Sequence, residues 1–148
     1  MGREMTISIA SQIADLLNRS NNLVVKYNSR QILNSKEDYI FNLVDDEVIA
    51  CAKCKKVQWY QWEISHVSVK ESELKKGYGK NIIRECELRA VRGSAKIIQC
   101  TIRNDNFASI QLFKSMGYEQ VNIFFYEKSG NYVYVYQKCV SKGQINRT

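Results

Sequence analysis

Residues 63–79 constrain the fold of this chain most, because a strand pattern, a polar loop, a glycine turn and a helix start follow one another there. The segment begins Glu-Ile-Ser-His-Val-Ser-Val and ends Lys-Lys-Gly-Tyr-Gly. Glycines let backbone N–H groups approach a ligand, and the N-terminus of a helix favours an anion. The segment therefore predicts a phosphate-binding loop. An ordinary strand-to-helix turn is the alternative interpretation of a Gly-x-Gly on its own.

Two common phosphate motifs do not fit this loop. The dinucleotide fingerprint G-x-G-x-x-G needs a third glycine, and Ile82 stands at that position. A P-loop ends in Gly-Lys followed by Ser or Thr, whereas Gly79 and Lys80 are followed by Asn81. A different class of phosphate ligand is therefore indicated.

A second motif lies thirty residues further on, in the run Asn-Phe-Ala-Ser-Ile-Gln-Leu-Phe-Lys-Ser-Met-Gly-Tyr that spans residues 106–118. Ser109, Leu112, Phe113 and Met116 recur at the spacing of one helix face. Gly117 then supplies a C-terminal stop. The pattern predicts a helix from residue 106 to residue 116.

Together the two motifs resemble the GNAT superfamily of acyl-CoA N-acyltransferases. The second matches the family pattern N-x-x-[AS]-I-x-L-[YF]-x-x-x-G-[FY] at every position. The first, R/Q-x-x-G-x-G/A, matches at both glycines but has Leu74 where Arg or Gln is usual, which leaves Lys75 and Lys76 as the nearby cations. The resemblance covers residues 37–139 and indicates fold and cofactor, but says almost nothing of the acyl acceptor.

The order of predicted elements leads to a fold class. The sequence predicts the following elements in order: a helix over 6–20, a hairpin over 39–59, a strand, loop and helix over 63–92, a strand and helix over 96–118, and a hairpin over 118–139. A polar tail follows at 141–148. This order predicts one α/β (α+β) domain spanning 1–148, with helices on both faces of a mixed sheet. The resemblance implies a mostly antiparallel GNAT sheet whose one parallel strand pair splays apart around the pantetheine arm.

Composition narrows the class of protein. No apolar run reaches the ~18 residues of a membrane span, and the N-terminus lacks a signal-peptide pattern, so we expect a cytoplasmic protein without a membrane partner. Five cysteines fit reduced thiols, and Cys51-Ala-Lys-Cys54 lacks a second ligand pair for zinc, so no metal is expected. The net charge of +7 favours an acidic partner, either nucleic acid, an acidic protein or only the phosphates of CoA. Monomer and homodimer both stay open.

Glu63 is the candidate general base. Amine acylation needs a neutral amine, and a lysine-type amine is almost fully protonated at pH 7. In the histone acetyltransferase branch of GNATs, which the stretch 63–79 resembles without gaps, a glutamate at this strand position deprotonates the lysine. Trp62, Ile64 and Val67 are expected to desolvate Glu63. His66 is the alternative base, because its ordinary pKa suits proton transfer. A regular strand would turn it to the face opposite Glu63, unless a bulge intervenes.

The resemblance also implies the residues that bind the cofactor, acetyl-CoA. Backbone groups around residues 67–69 hold the pantetheine, and the loop from Lys76 to Lys80 holds the pyrophosphate. Asn106 contacts the pantetheine or stabilises its own loop, and Phe113 occupies the place where many GNATs carry a tyrosine acid. The expected cofactor set is Val67, Ser68, Val69, Lys75, Lys76, Gly77, Tyr78, Gly79, Lys80, Asn106, Ser109 and Phe113.

The expected function is acetyl-CoA-dependent N-acetylation of a primary amine by direct attack, with a protein lysine and a protein N-terminus as candidate acceptors. Two alternatives stay open. The charge of +7 motivates an acetyltransferase that acts on nucleic acid or aminoacyl-tRNA. Leu74 and Phe113 motivate a degenerate, non-catalytic CoA-binding or interaction module.

Overall fold

The computed structural model describes residues 4–21, 23 and 25–141, and its elements follow the predicted order. The helices are α1 (Ile7–Ser20), α2 (Ser29–Asn34), α3 (Tyr78–Arg92) and α4 (Phe107–Ser115). The strands are β1 (Tyr39–Val44), β2 (Glu47–Lys56), β3 (Gln61–Val69), β4 (Ile97–Arg103), β5 (Glu119–Tyr126) and β6 (Asn131–Cys139). Most of the predicted tail, residues 142–148, lies outside the described residues.

The six strands form one mixed sheet with the order β1-β2-β3-β4-β6-β5. Every neighbouring pair is antiparallel except β3 and β4. Their parallel pairing is short, from Gln61 opposite Ile97 to Glu63 opposite Gln99. Beyond Glu63 the two strands are not paired, so the predicted fold class, with its splayed parallel pair, is confirmed.

Two hydrophobic clusters hold helices on opposite faces of the sheet. On one face, α3 and α4 pack on alternate residues of β2, β3, β4 and β6, including the buried Ile64, Ile98 and Tyr136. On the other face, α1 and α2 pack on β1 and β2. Helix α1 also contacts β3, so the second face is covered from β1 to β3, and α1 and α2 contact neither β4 nor β6 closely.

Helix α1 is fixed at both of its ends. Thr6 caps its N-terminus, where the Thr6 Oγ1 atom accepts the Ile9 N–H at 3.1 Å. Near its C-terminus, the Asn18 amide both donates to and accepts from the Tyr27 main chain at 2.9 Å. The described part of residues 23–27 is not a strand, and these hydrogen bonds hold Tyr27 against α1.

Gly93 ends α3 beside Trp62, in the part of β3 that pairs with β4. A Cβ atom added to Gly93 would lie 2.4 Å from Trp62 Cζ2, so only a glycine fits beneath the indole ring. None of the helices in the described ranges is long and apolar enough to cross a membrane.

Candidate active site

A cleft of about 490 Å³ opens where β3 and β4 diverge. Its walls come from both faces of the sheet: α4 contributes on one face and the C-terminal end of α1 on the other. The cleft therefore passes through the sheet and can receive two ligands from opposite sides. Its lining includes Asn18, Asn21, Ile64, His66, Val67, Cys100, Thr101, Arg103, Asp105, Asn106, Ser109 and Phe113.

A bulge in β3 decides where His66 lies. The register between β2 and β3 shifts between Cys51 and Lys53, and His66 has a φ of +56°, which is unusual for a non-glycine residue. The extra residue returns His66 to the α1 face, where it contacts Tyr27. In a regular strand His66 would face away from Glu63, and the bulge brings both residues to one face.

The imidazole of His66 is held by Tyr27 and is neutral at physiological pH. Its Nε2 atom lies 3.2 Å from the Tyr27 hydroxyl, and the two rings meet edge to face at 5.5 Å. Burial lowers the pKa of His66, and the nearby charge of Lys53 lowers it further. A neutral imidazole can accept a proton or a hydrogen bond, so the environment of His66 is compatible with either a catalytic or a positioning role.

Glu63 lies at the last paired position of the parallel strands, one residue before the lining of the cleft begins at Ile64, and is not itself part of that lining. Ile64 and Trp62 pack toward α3, so alternation places the Glu63 side chain on the opposite face. The expectation that Trp62 and Ile64 desolvate Glu63 is therefore wrong. Within the described ranges no residue forms an ion pair or hydrogen bond with the Glu63 carboxylate. Burial raises the pKa of Cys100, a thiol on the cleft wall, and the nearby charge of Glu63 raises it further.

The loop before α3 has the open backbone that the sequence predicts for a phosphate site. Gly77 is the N-cap residue of α3 and has a φ of +88°, and Lys75 also has a positive φ, of +65°. No side chain caps the helix. Among the described hydrogen bonds, none uses the N–H groups of residues 77–80, so these donors and the helix dipole are available to an anion.

The lysines of this loop are not equivalent. Lys76 donates to Glu73 Oε2 at 2.7 Å, and this bond raises the pKa of Lys76. Lys75 and Lys80 are exposed and form no ion pair with any residue that the structure describes. The cationic character of the loop therefore depends mainly on Lys75 and Lys80.

Gly79 has a packing role as well as its place in the loop. A Cβ atom on Gly79 would lie 3.0 Å from Leu112 Cδ2 and 3.9 Å from Val69 Cγ2. The missing side chain therefore makes room for α4 and β3, and Gly77, with open space around it, is the residue that needs a positive φ.

The predicted residues of the α4 segment lie on the side of the cleft that faces α3 and α4. Asn106 is the N-cap residue of α4, and its Oδ1 atom accepts the Ser109 N–H at 3.3 Å, which stabilises its own loop. Phe113 lines the cleft, is 3% exposed, and contacts Tyr118 edge to face at 5.0 Å. The ring of Phe113 can shape this wall but cannot donate a proton.

The cleft gathers some predicted residues and leaves others outside. His66, Val67, Asn106, Ser109 and Phe113 line it. The Ser68 side chain faces α1, where its Oγ accepts from Asn21 at 2.8 Å and donates to the His66 carbonyl at 2.9 Å. The other predicted residues, Glu63, Val69, Lys75, Lys76, Gly77, Tyr78, Gly79 and Lys80, are not part of its lining.

Sequence reasoning did not find the residues that α1 and β4 bring to the cleft. Asn18, Asn21 and Arg103 lie outside both motifs, and Tyr27 reaches His66 only through the bulge. No signal in the sequence identifies the three lining residues, since each reaches the cleft through tertiary packing.

A second groove, of about 670 Å³, lies between β1 and α3. It is larger than the cleft, but neither motif contributes a residue to it. Its wall carries acidic and basic groups together, including Glu37, Glu85, Arg89 and Arg92. Unpaired strand backbone and an open helix N-terminus both occur beside the first cleft, so we take that cleft as the candidate active site.

The fold and the cleft are typical of a class of enzymes that transfer acyl groups. The sequence model of the acetyltransferase (GNAT) family matches residues 12–118. The chain belongs to the GNAT acetyltransferase family. No curated protein matches it in sequence at a significant level.

Solved structures show the same fold at low identity. Ard1 from Thermoplasma volcanium superposes with a TM-score of 0.81 at 18% identity, covering 95% of this chain and 97% of that one. The ribosomal-protein-S18-alanine N-acetyltransferase from Escherichia coli gives 0.75 at 13% identity, covering 94% and 92%. A GNAT acetyltransferase from Elizabethkingia anophelis with acetyl-CoA bound gives 0.71 at 15% identity, covering 85% and 89%.

Proposed function

We propose that this protein transfers an acetyl group from acetyl-CoA to a primary amine of a protein, with Glu63 as the general base. The observation that carries the proposal is the cleft between β3 and β4, which has polar backbone on its walls and access from both faces of the sheet. Family membership supports acetyl-CoA as the cosubstrate. The acetyltransferase from Elizabethkingia anophelis, which has the same fold, binds acetyl-CoA.

Acetyl-CoA would bind mainly through the backbone. The edge of residues 64–69 that faces away from β2 has no strand partner, so its N–H and C=O groups can bind the amides of the pantetheine arm. The N–H groups of residues 77–80 would bind the pyrophosphate at the start of α3. Lys75 and Lys80 would add charge, and Phe113 would pack against the arm.

The acceptor would enter from the α1 face, which carries Glu63 and His66. Its nitrogen forms a bond to the thioester carbonyl carbon as the bond from that carbon to sulfur breaks. Glu63 would take the proton that the amine loses, directly or through water, a step that typically accelerates such reactions by about 10²–10⁴-fold. With Phe113 at the usual acid position, the thiolate would leave without a proton from α4 and be protonated by solvent.

The chemistry of the acceptor mouth favours a peptide over a small apolar amine. The mouth combines the amides of Asn18 and Asn21 with the hydroxyl of Thr101 and the ion pair between Arg103 and Asp105. Such groups can bind the main chain beside an amine. The Escherichia coli protein of the same fold is, by its name, a ribosomal-protein-S18-alanine N-acetyltransferase. An amine of a protein acceptor, either an N-terminus or a lysine, is therefore a candidate here.

The test is transfer of radiolabelled acetyl from acetyl-CoA to three acceptors: a peptide with a free N-terminus and no lysine, the same peptide blocked at its N-terminus and carrying one lysine, and spermidine. We expect label on at least one peptide above the Glu63→Gln background. Tight binding of acetyl-CoA without transfer to these acceptors or to a host lysate would instead support a non-catalytic module. Label found only on RNA, with steep salt dependence, would support the nucleic-acid alternative.

A further inference from the structure

Strand β5 is exposed along its whole length, although it is rich in apolar residues. All eight of its residues are exposed, and its sequence Glu-Gln-Val-Asn-Ile-Phe-Phe-Tyr contains five large apolar side chains. Tyr132, on β6, lies beside Phe125 at a ring distance of 5.3 Å. We call these six residues the apolar edge: Val121 (53% exposed), Ile123 (49%), Phe124 (44%), Phe125 (51%), Tyr126 (41%) and Tyr132 (51%).

The apolar edge is uncovered on both faces of the sheet. Phe124 and Phe125 are consecutive in the strand and so point to opposite faces, yet both are about half exposed. The opposite edge of the sheet behaves differently. There Tyr39 and Ile40 are also consecutive, and helices on the two faces bury them to 3% and 8% exposure. Exposure is therefore a property of β5 and not of sheet edges in this fold.

The strand lacks most of the features that usually prevent edge-to-edge association. It contains neither proline nor a basic residue, and its one charge, Glu119, is at its first position. Some protection is present at residues 121–122, where a bulge interrupts pairing with β6 and Asn122 Oδ1 accepts the Ile123 N–H at 2.8 Å. The segment from Phe124 to Tyr126 has no such protection.

The area of the apolar edge suits an interface. A buried aromatic side chain covers about 150–250 Å², so the four half-exposed aromatic residues, with Val121 and Ile123, offer roughly 400–600 Å² of apolar surface per copy. A stable interface buries about 800 Å² on each partner. Edge-to-edge pairing would cover the apolar edge only in part, because its side chains point to the two faces of the sheet and Tyr132 lies one strand further in. The apolar edge would therefore supply a part of that area, and the main chain of β5 would add to it.

We propose that two copies of this chain associate through β5, which pairs antiparallel with β5 of the second copy and joins the two sheets. An antiparallel pairing of a strand with itself obeys two-fold symmetry, so one patch serves both partners. It also places the two Glu119 carboxylates at opposite ends of the interface. Because no basic residue lies in β5, the +7 charge of each copy is not concentrated at the contact.

The first test is the mass of the full chain in solution by sedimentation velocity, from about 1 to 100 µM, a range that detects both tight dimers and dimers of micromolar affinity. We expect a species of twice 17.2 kDa at the upper end. Phe125→Lys should raise the dimer dissociation constant about 30-fold or more, as removal of a central aromatic anchor does. Trp59→Lys is the matched control, since Trp59 is 72% exposed on the hairpin between β2 and β3 and should leave the mass unchanged.

A cross-link keeps the proposal testable if Phe125→Lys fails to fold. Antiparallel pairing of β5 with itself over its whole length would put Ile123 beside the two-fold axis. In a Cys139→Ser background, which removes the exposed native thiol, a short bis-maleimide should therefore cross-link Ile123→Cys between copies. A monomer at 100 µM would overturn the proposal and leave the apolar edge to a different protein. A dimer that survives Phe125→Lys without the Ile123→Cys cross-link would overturn it as well, because the interface would then be elsewhere.

Discussion

The two halves of β3 differ in the strands with which they pair. Residues 61–63 pair on both sides, with β2 and with β4, and Trp62 packs on the end of α3. Residues 64–69 pair only with β2 and carry a bulge at His66, and residues 64–67 form one wall of the cleft. One strand therefore contributes to the continuous sheet in its first half and to the wall of the cleft in its second.

This difference shows how a fold makes a site without specialised side chains. A sheet normally satisfies its own backbone groups, and an unpaired N–H or C=O near the core is costly unless a ligand or water meets it. By diverging after Glu63, β3 and β4 leave such groups beside the open N-terminus of α3. Glu63 lies at the point of divergence, and its proposed role as the general base is what would distinguish catalysis from simple binding.

The largest expected effect is on turnover, at the junction of the two halves. Glu63→Gln keeps the size of the side chain but cannot accept a proton, so we expect kcat to fall about 10²-fold at pH 7, with little change in acetyl-CoA affinity. The deficit should shrink as pH rises, since more of the acceptor amine is then neutral. Steady-state kinetics between pH 6 and 9 would measure both.

Two control variants separate Glu63 from its surroundings. Glu71→Gln, on the exposed turn before the phosphate loop, should leave kcat unchanged because it removes a carboxylate away from the cleft. His66→Asn should be milder than Glu63→Gln. If His66→Asn abolishes turnover while Glu63→Gln retains it, the roles of the two residues are exchanged.

The next effect is on stability, in the paired half. Gly93→Ala would place a Cβ 2.4 Å from the Trp62 ring, so we expect a loss of about 1–3 kcal/mol in the free energy of unfolding, the usual cost of overpacking. The loss should be smaller in a Trp62→Phe background, because the shorter ring leaves space. Urea denaturation of the wild type, the two single variants and the double variant would show this coupling. Equal losses in both backgrounds would contradict the contact.

A smaller effect concerns the pH dependence of stability, in the unpaired half. Folding lowers the pKa of His66, so at mildly acidic pH the unfolded chain binds more protons than the folded one. The His66 contribution is fully present above its unfolded pKa of about 6.5 and is lost as pH falls toward its folded pKa. His66→Asn, which tolerates a positive φ, should flatten the pH dependence of the midpoint of unfolding in that window. If the wild type and His66→Asn show the same pH dependence, His66 is not held in its neutral form by burial.

The smallest effect is expected at the second motif. Phe113→Tyr adds a hydroxyl at the usual acid position of the family, in a tightly packed wall. If Phe113 serves only for packing, kcat should stay within about 3-fold of wild type, a difference of less than 1 kcal/mol. A rise of ten-fold or more would show that a proton donor at this position still reaches the leaving thiolate.

The fold could be predicted from the sequence because its evidence is local. The Gly77–Gly79 turn, the helix face around Phe113 and the alternating strands each obey short-range rules, and the element bounds differ from the structure by a few residues. The geometry of the site was harder to predict from the sequence. The bulge that brings His66 to the face of Glu63 contains no glycine that would indicate it. The packing of Gly79 on Leu112 depends on a helix thirty residues away.

The apolar edge and the α1 wall of the cleft were beyond prediction for a related physical reason. The alternation in β5 and β6 predicts a hairpin, but burial depends on whether a helix happens to cover it, and none does in the part of the chain that the structure describes. Similarly, Asn18 and Asn21 reach the cleft only because α1 ends beside β3.

Site-resolved hydrogen exchange, with and without saturating acetyl-CoA, tests the central claim most directly. Without ligand, we expect slow exchange for the amides of residues 61–63 and fast exchange for the β4-facing amides of residues 64–69 and for the amides of residues 77–80. Acetyl-CoA should slow exchange in these two unpaired sets and leave residues 61–63 unchanged. No protection of residues 64–69 and 77–80, or protection confined to the groove between β1 and α3, would contradict the account.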